Sequence, residues 1–140
     1  MEDVNKYYQG CEIYSEMIEE HPTPSAIVLS NGIILYANKS LTDFLGYEKH
    51  TLEGSHFRLI THSDDYDIDA DLFKKLNNGD IHKYEIKKRY LKKDGSIVNV
   101  ILTVKRKWLK GHQVNVIYGF FLPDIIEFAN YKIKLIETNV

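Results

Sequence analysis

The side chains best equipped for chemistry in this chain are six histidines, one cysteine, a run of aspartates and a basic stretch. Paired histidines in a spacing such as H-E-x-x-H would share a helix face and hold a metal. His21, His50, His56, His62, His82 and His112 show no such pairing. Asp64, Asp65, Asp67, Asp69 and Asp71 have the acid density of a calcium loop but lack the glycine and terminal glutamate of an EF-hand. An acidic helix start favoured by the macrodipole accounts for them instead. Cys11 alone can close no internal disulfide and build no thiolate zinc site. There is no G-x-S-x-G, no phosphate-binding loop and no Ser/His/Asp or Cys/His arrangement with motif support. The expectation is no metal, no catalytic residue and a chain that is not itself an enzyme.

Lys87, Lys88, Arg89, Lys92 and Lys93 interleave with Tyr84 and Tyr90. Such a mixture on a strand can hold single-stranded nucleic acid. Glu85, Asp94 and a net charge of −2 argue against that partner, so a solvated hairpin is the expected reading. With 44% hydrophobic residues in 140, the chain belongs to the globular class and has the size of one domain. The start M-E-D-V-N-K-Y-Y lacks the features of a signal peptide. No apolar run reaches the ~18–20 residues of a membrane span. A cytoplasmic location is expected, as the single cysteine also suggests.

Positioning falls to elements that alternation, helical spacing and glycines predict. Residues 2–20 read as a helix, with Val4, Tyr7, Cys11, Tyr14 and Ile18 on a heptad seam. This helix could lie on its own domain or be shared with a second subunit. His21-Pro22-Thr23-Pro24 ends it. From Ser25 to Ala37 two apolar runs flank Asn31-Gly32, the dipeptide suited to a two-residue type I′ hairpin. Asn38 or Ser40 caps a short helix carrying Leu41, Phe44 and Leu45, and Gly46 stops it. Short pieces follow, then a helix from Asp65 to Leu76 with Ile68, Leu72 and Leu76 at four-residue steps and Phe73 beside them. Three long antiparallel strands complete the core, turning at Lys93-Asp94-Gly95 and near Gly111. Both their faces are apolar, so the central helices should cover one and the N-terminal helix the other. Asp124 and Glu127 have capping-box spacing for a last helix whose Ile126, Ala129, Ile133, Ile136 and Val140 form another heptad seam. That seam reaches the final residue with no stop signal, as in a module cut from something longer.

The stretches A-I-V-L-S-N-G-I-I-L-Y-A-N, L-G-Y, L-E-G-S-H-F-R-L-I, H-S-D-D, R-Y-L-K-K-D-G-S-I, I-Y-G-F-F and D-I-I-E stand in one order over roughly residues 24–128. In that order they resemble the PAS/PAC sensor family, the sensory box. The resemblance implies an α+β fold: a PAS-like five-stranded antiparallel sheet of order 2-1-5-4-3, short helices over one face, and flanking N- and C-terminal helices. The matching division is an N-terminal amphipathic helix at 1–22 for capping or dimerisation, a PAS core at 23–123 and an exit helix at 124–140. Ile126 stands where the family has Thr, and Pro123 is an extra residue before Asp124; both bear on how the exit helix is held.

The function this implies is a sensory or interaction module of signal transduction, two-component systems included. It would relay ligand or dimerisation state through the flanking helices to an output domain such as a kinase or cyclase. The alternative is a stand-alone small-ligand-binding α+β protein or enzyme with a covered cleft. In the family's light sensors a thiol occupies a G-x-x-C-R-F pattern; here Phe57 stands in its place, which argues against covalent flavin. Arg58 matches a phosphate-holding arginine but is expected to be exposed in a structural salt bridge. Haem-bearing relatives carry a histidine on the helix that here runs from Asp65 to Leu76, which has none, so haem is not expected either. What is left is an unknown small molecule or no cofactor. The candidate pocket is Phe44, His56, Phe57, Tyr66, Leu72, Tyr90, Val100, Leu102 and Phe121, and these side chains could equally fill the space. The expected partners are a second copy, through Val4, Tyr7, Cys11, Tyr14 and Ile18, and a downstream output domain. Neither nucleic acid nor a membrane span is expected.

Overall fold

A computed structural model describes residue 12 and residues 14–111 and 114–124. Five strands, β1 (Ser25–Val28), β2 (Ile34–Ala37), β3 (Lys83–Leu91), β4 (Ile97–Leu109) and β5 (Val114–Pro123), form one sheet. Its order is β2-β1-β5-β4-β3 and every pairing is antiparallel, as the resemblance implied. Between β2 and β3 lie α1 (Lys39–Leu45), α2 (Lys49–Leu52), a 3-10 turn (Phe57–Ile60) and α3 (Ser63–Asn78). They cover the inner face, where Leu41, Leu45, Leu52, Ile60 and Leu76 are fully buried against Ala26, Val100 and Leu102. Each such leucine or isoleucine contributes about 1.5–3 kcal/mol relative to an exposed one.

Residues 14–18 are helical and lie on the outer face, where Tyr14 and Ile18 pack with Ile27, Val116 and Tyr118. Asn38 fastens this end of the molecule. Its Oδ1 accepts the N–H groups of Ser25 at 2.9 Å and Leu41 at 3.0 Å. Its Nδ2 donates to the carbonyls of Ile18 at 2.8 Å and Thr23 at 2.9 Å. One buried amide therefore caps α1, starts β1 and holds the end of the N-terminal helix. The seam residues Val4, Tyr7 and Cys11, and the exit seam from Ile126 to Val140, lie outside the described residues.

Three local expectations need correction. The first hairpin is not a two-residue turn: the Gly32 N–H bonds to the Leu29 carbonyl and the Leu29 N–H to that of Ile33. These bonds bracket the three-residue loop 30–32, with Gly32 at φ 87° taking the left-handed position of a bulged hairpin. The turn at 93–95 has the same pattern, with Gly95 at φ 88°. Second, α3 runs past both predicted ends, because the His62 imidazole caps it and Gly79 closes it in the left-handed region. Its buried face is Asp69, Phe73 and Leu76, one residue round from the predicted stripe, and Ile68 is 64% exposed. Third, the basic stretch is not uniformly solvated, since Lys88 is 3% exposed.

Candidate functional site

The site is built by α3 crossing β3. Side chains of β3 alternate, so Tyr84, Ile86, Lys88 and Tyr90 share the inner face that α3 covers. Residues four apart on a helix fall one above the other, which lines Asp65 and Asp69 along the same strand. The Asp69 carboxylate is 2% exposed. It accepts the Tyr84 hydroxyl at 2.8 Å on Oδ1 and the Lys88 ammonium on Oδ2. The Lys88 Nζ also lies 4.4 Å from the centre of the Tyr90 ring and 5.2 Å from that of Phe57. One helical turn earlier, Asp65 Oδ2 accepts from the backbone N–H of Arg89 at 2.7 Å and its Nε at 3.0 Å, and Oδ1 from Nη2 at 2.8 Å.

The titration of these groups follows from their surroundings. Burial pulls the Lys88 ammonium below the ordinary lysine value, with the Asp69 charge pulling the other way. Burial, then the charge of Asp69, pushes the Tyr84 hydroxyl far above its usual range, and Tyr90 moves the same way for the same reasons. The hydrogen bond from Arg89 holds the Asp65 carboxyl below the ordinary 3.8. The inner site thus contains a lysine paired with a carboxylate and two tyrosines that stay protonated.

Beside the ion pair is a cavity of about 30 Å³. Val28, Val104 and Gly119 of the sheet and Phe73 of α3 complete its walls with Phe57, Leu102 and Phe121. Of the nine candidate pocket residues, Phe57, Tyr90, Leu102 and Phe121 line this space. Val100 is fully buried in the same core and Leu72 packs on it. Phe44 instead lines an open surface groove of about 760 Å³ between residues 19–24, α1 and the end of β5. His56 sits over the Gly32 loop, where a Cβ would lie 2.3 Å from its Nε2, and its Nδ1 accepts the Arg58 N–H. Burial lowers its basicity. Tyr66 packs at a tilt against Phe57, ring centres 5.5 Å apart, with the Arg58 guanidinium 4.2 Å from the Tyr66 ring centre. Arg58 is exposed, as expected, but leans on a ring and not on a carboxylate.

Sequence reading missed Asp69, Tyr84 and Lys88. Alternation through Tyr84, Ile86, Lys88 and Tyr90 already put Lys88 on the apolar face, but the neighbouring lysines masked it. Among the described residues no group of three or more His, Cys, Asp or Glu side chains could hold a metal ion, and no helix is long and apolar enough to cross a membrane.

A family model described as "PAS domain" matches residues 22–127. The probable diguanylate cyclase DgcE of Escherichia coli (strain K12) is 37% identical over 79 residues, covering 56% of this chain and 7% of that protein. Among solved structures, a PAS domain from a two-component sensor histidine kinase superposes with a TM-score of 0.65. The two are 16% identical over 84% of this chain and 99% of that one. A domain of the sensory box sensor histidine kinase/response regulator from Geobacter sulfurreducens gives a TM-score of 0.64 and 16% identity, over 83% and 95% of the two chains.

Proposed function

The chain belongs to the PAS domain family, and from that premise we propose that it is a non-catalytic sensory and interaction module that relays a change in its core, through the segments flanking the sheet, to an output domain. The observation that carries this reading is the double role of β5. Its inner face gives Gly119 and Phe121 to the cavity wall, while Tyr118 on its outer face stacks on Tyr14 of the N-terminal helix at 6.4 Å. The path from core to flanking helix is one strand thick. A shift of β5 that repacks Phe121 against Tyr90, whose rings lie 5.1 Å apart, must also move Tyr118 under Tyr14.

The size of the cavity narrows what the input can be. About 30 Å³ has room for one or two water molecules, against roughly 300–1,000 Å³ for ordinary ligand pockets. We read this core as closed by its own ion pair. A small ligand would have to part Asp69 from Lys88 to enter, so its binding and the loosening of α3 would be one event. Resemblance to a probable diguanylate cyclase and to sensor histidine kinases supports a cyclase or kinase as the output. The lone cysteine suits a reducing cytoplasm.

We place dimerisation on the N-terminal seam. Tyr14 and Ile18 pack against their own sheet. The other seam residues, Val4, Tyr7 and Cys11, lie outside the described residues, and the proposal for them rests on their heptad spacing. Sedimentation equilibrium on the 140-residue chain and on a Val4→Glu/Tyr7→Glu variant tests this. A dimer that the variant loses supports the relay; a monomer in both at high concentration removes it. Native mass spectrometry of the same samples reads out any retained small molecule, and a bound organic ligand would overturn the self-closed core.

A further inference from the structure

The first residue of β3, Lys83, stands opposite Lys105 and ends that ladder, and β1 leaves β5 at Ile117. From Lys107 onward β4 and β5 pair only with each other, through Lys107–Val116, Trp108–Asn115 and Leu109–Val114. This arm projects about 10 Å past the sheet at the usual rise per residue. It carries the chain's single tryptophan, Trp108, 50% exposed. Alternation puts Trp108 on the inner-face side of the arm and Lys105 and Lys107 on the other side, with Lys83 opposite Lys105 and Lys110 in the turn beyond. All four lysines are exposed, and none joins an ion pair among the described residues. Lys83 and Lys105 stand directly opposite each other, an arrangement that opposes folding. The chain as a whole carries −2, so this concentration of positive charge is local and not a consequence of composition.

We propose that the β4–β5 arm is a docking surface for an anionic lipid headgroup layer, with Trp108 at the interface and Lys83, Lys105, Lys107 and Lys110 against the headgroups. Tryptophan favours the boundary between headgroups and acyl chains, and lysines near an anionic leaflet add attraction one by one. The arm is two strands wide and projecting, so its end can enter a deformable headgroup layer that meets the indole on one side and the lysines on the other. A single-stranded nucleic acid would need a basic groove with several stacking rings in succession, and the arm offers one indole. The inference is independent of the relay proposed above.

Trp108 is its own reporter. The whole chain is titrated with vesicles of equimolar phosphatidylcholine and phosphatidylglycerol, and with vesicles of phosphatidylcholine alone. Tryptophan emission and co-sedimentation are followed at low and high salt. A blue shift with co-sedimentation is expected on the anionic vesicles only, reversed by salt. Lys105→Gln/Lys107→Gln is expected to weaken that partitioning about 30-fold, from roughly 1 kcal/mol per lysine. The same variant removes a like-charge pair, so its melting temperature should not fall, which separates lost docking from lost folding. Absence of binding to anionic vesicles overturns the proposal, as does binding that the double variant leaves unchanged. Lysine-dependent binding to polyglutamate or duplex DNA without vesicle binding would also overturn it, assigning the arm to an acidic macromolecule.

Discussion

Asp65 and Asp69 lie one turn apart on α3 and meet consecutive cations of β3, Arg89 and Lys88, yet the two ties are physically unlike. The Asp65–Arg89 pair is bidentate and stays in contact with water, its guanidinium 40% exposed. The Asp69–Lys88 pair is nearly out of solvent, with side chains 3% and 1% exposed. The difference comes from the strand, because Arg89 and Lys88 point to opposite faces. At the surface, Coulomb attraction is weak and so is the cost of breaking it. In the core both charges have lost their hydration, so neither can be removed alone without leaving the other stranded. The outer tie is adjustable, whereas the inner one commits α3 to a single position.

The largest expected effect follows from orphaning a buried charge. Lys88→Ala should cost about 3–5 kcal/mol, read as the fall in the urea midpoint, because Asp69 then has only the Tyr84 hydroxyl. An equal loss from Asp65→Asn would break the comparison. Replacing the whole cluster, Asp69→Leu/Tyr84→Phe/Lys88→Met, should be more stable than Lys88→Ala, since no charge is left unpaired. If the triple variant were the worse of the two, net attraction and not the orphaned charge would be holding the core.

Asn38→Ala tests whether burial without charge suffices. It leaves the Ser25 and Leu41 donors and the Ile18 and Thr23 carbonyls without this partner. A loss of about 1–3 kcal/mol is expected in the same denaturation assay. Asp65→Asn should have a smaller effect that depends on acidity. Its folded-state value lies below the ordinary 3.8, so the stabilisation is full above 3.8 and disappears as the pH falls through the depressed value. Wild type and variant should differ at neutral pH and converge in acid; a gap that persists in acid would mean the carboxylate is not the cause. Smallest of all is Lys39→Ala, whose partner Asp43 is as exposed as itself, and its midpoint should match wild type within error.

How far the sequence could be read depended on the range of the interactions involved. The two hairpins were evident from Asn31-Gly32 and Asp94-Gly95, although the loop type was not, because one more residue in a turn changes only which carbonyl is bonded. The helix at 63–78 was placed by its spacing. Its buried face was misjudged by one residue because Ile68 looks like core, while Asp69 could be buried only once Lys88 was known to face it. The role of His56 was hidden in the same way: nothing local says that Gly32 yields its Cβ space to a ring from residue 56.

From the sequence alone came the strand order, through the resemblance, together with the alternation of faces, the Asn38 cap and Gly46 stop of α1 and the positive φ of Gly32. All but the first are properties of a few consecutive residues. Tertiary structure alone decided that a lysine in a basic run is buried, that it meets an aspartate 19 residues away, and that only about 30 Å³ is left beside them. The physical reason is that a cavity is the small remainder between large packed volumes, and a buried charge is tolerable only where a distant partner arrives to meet it.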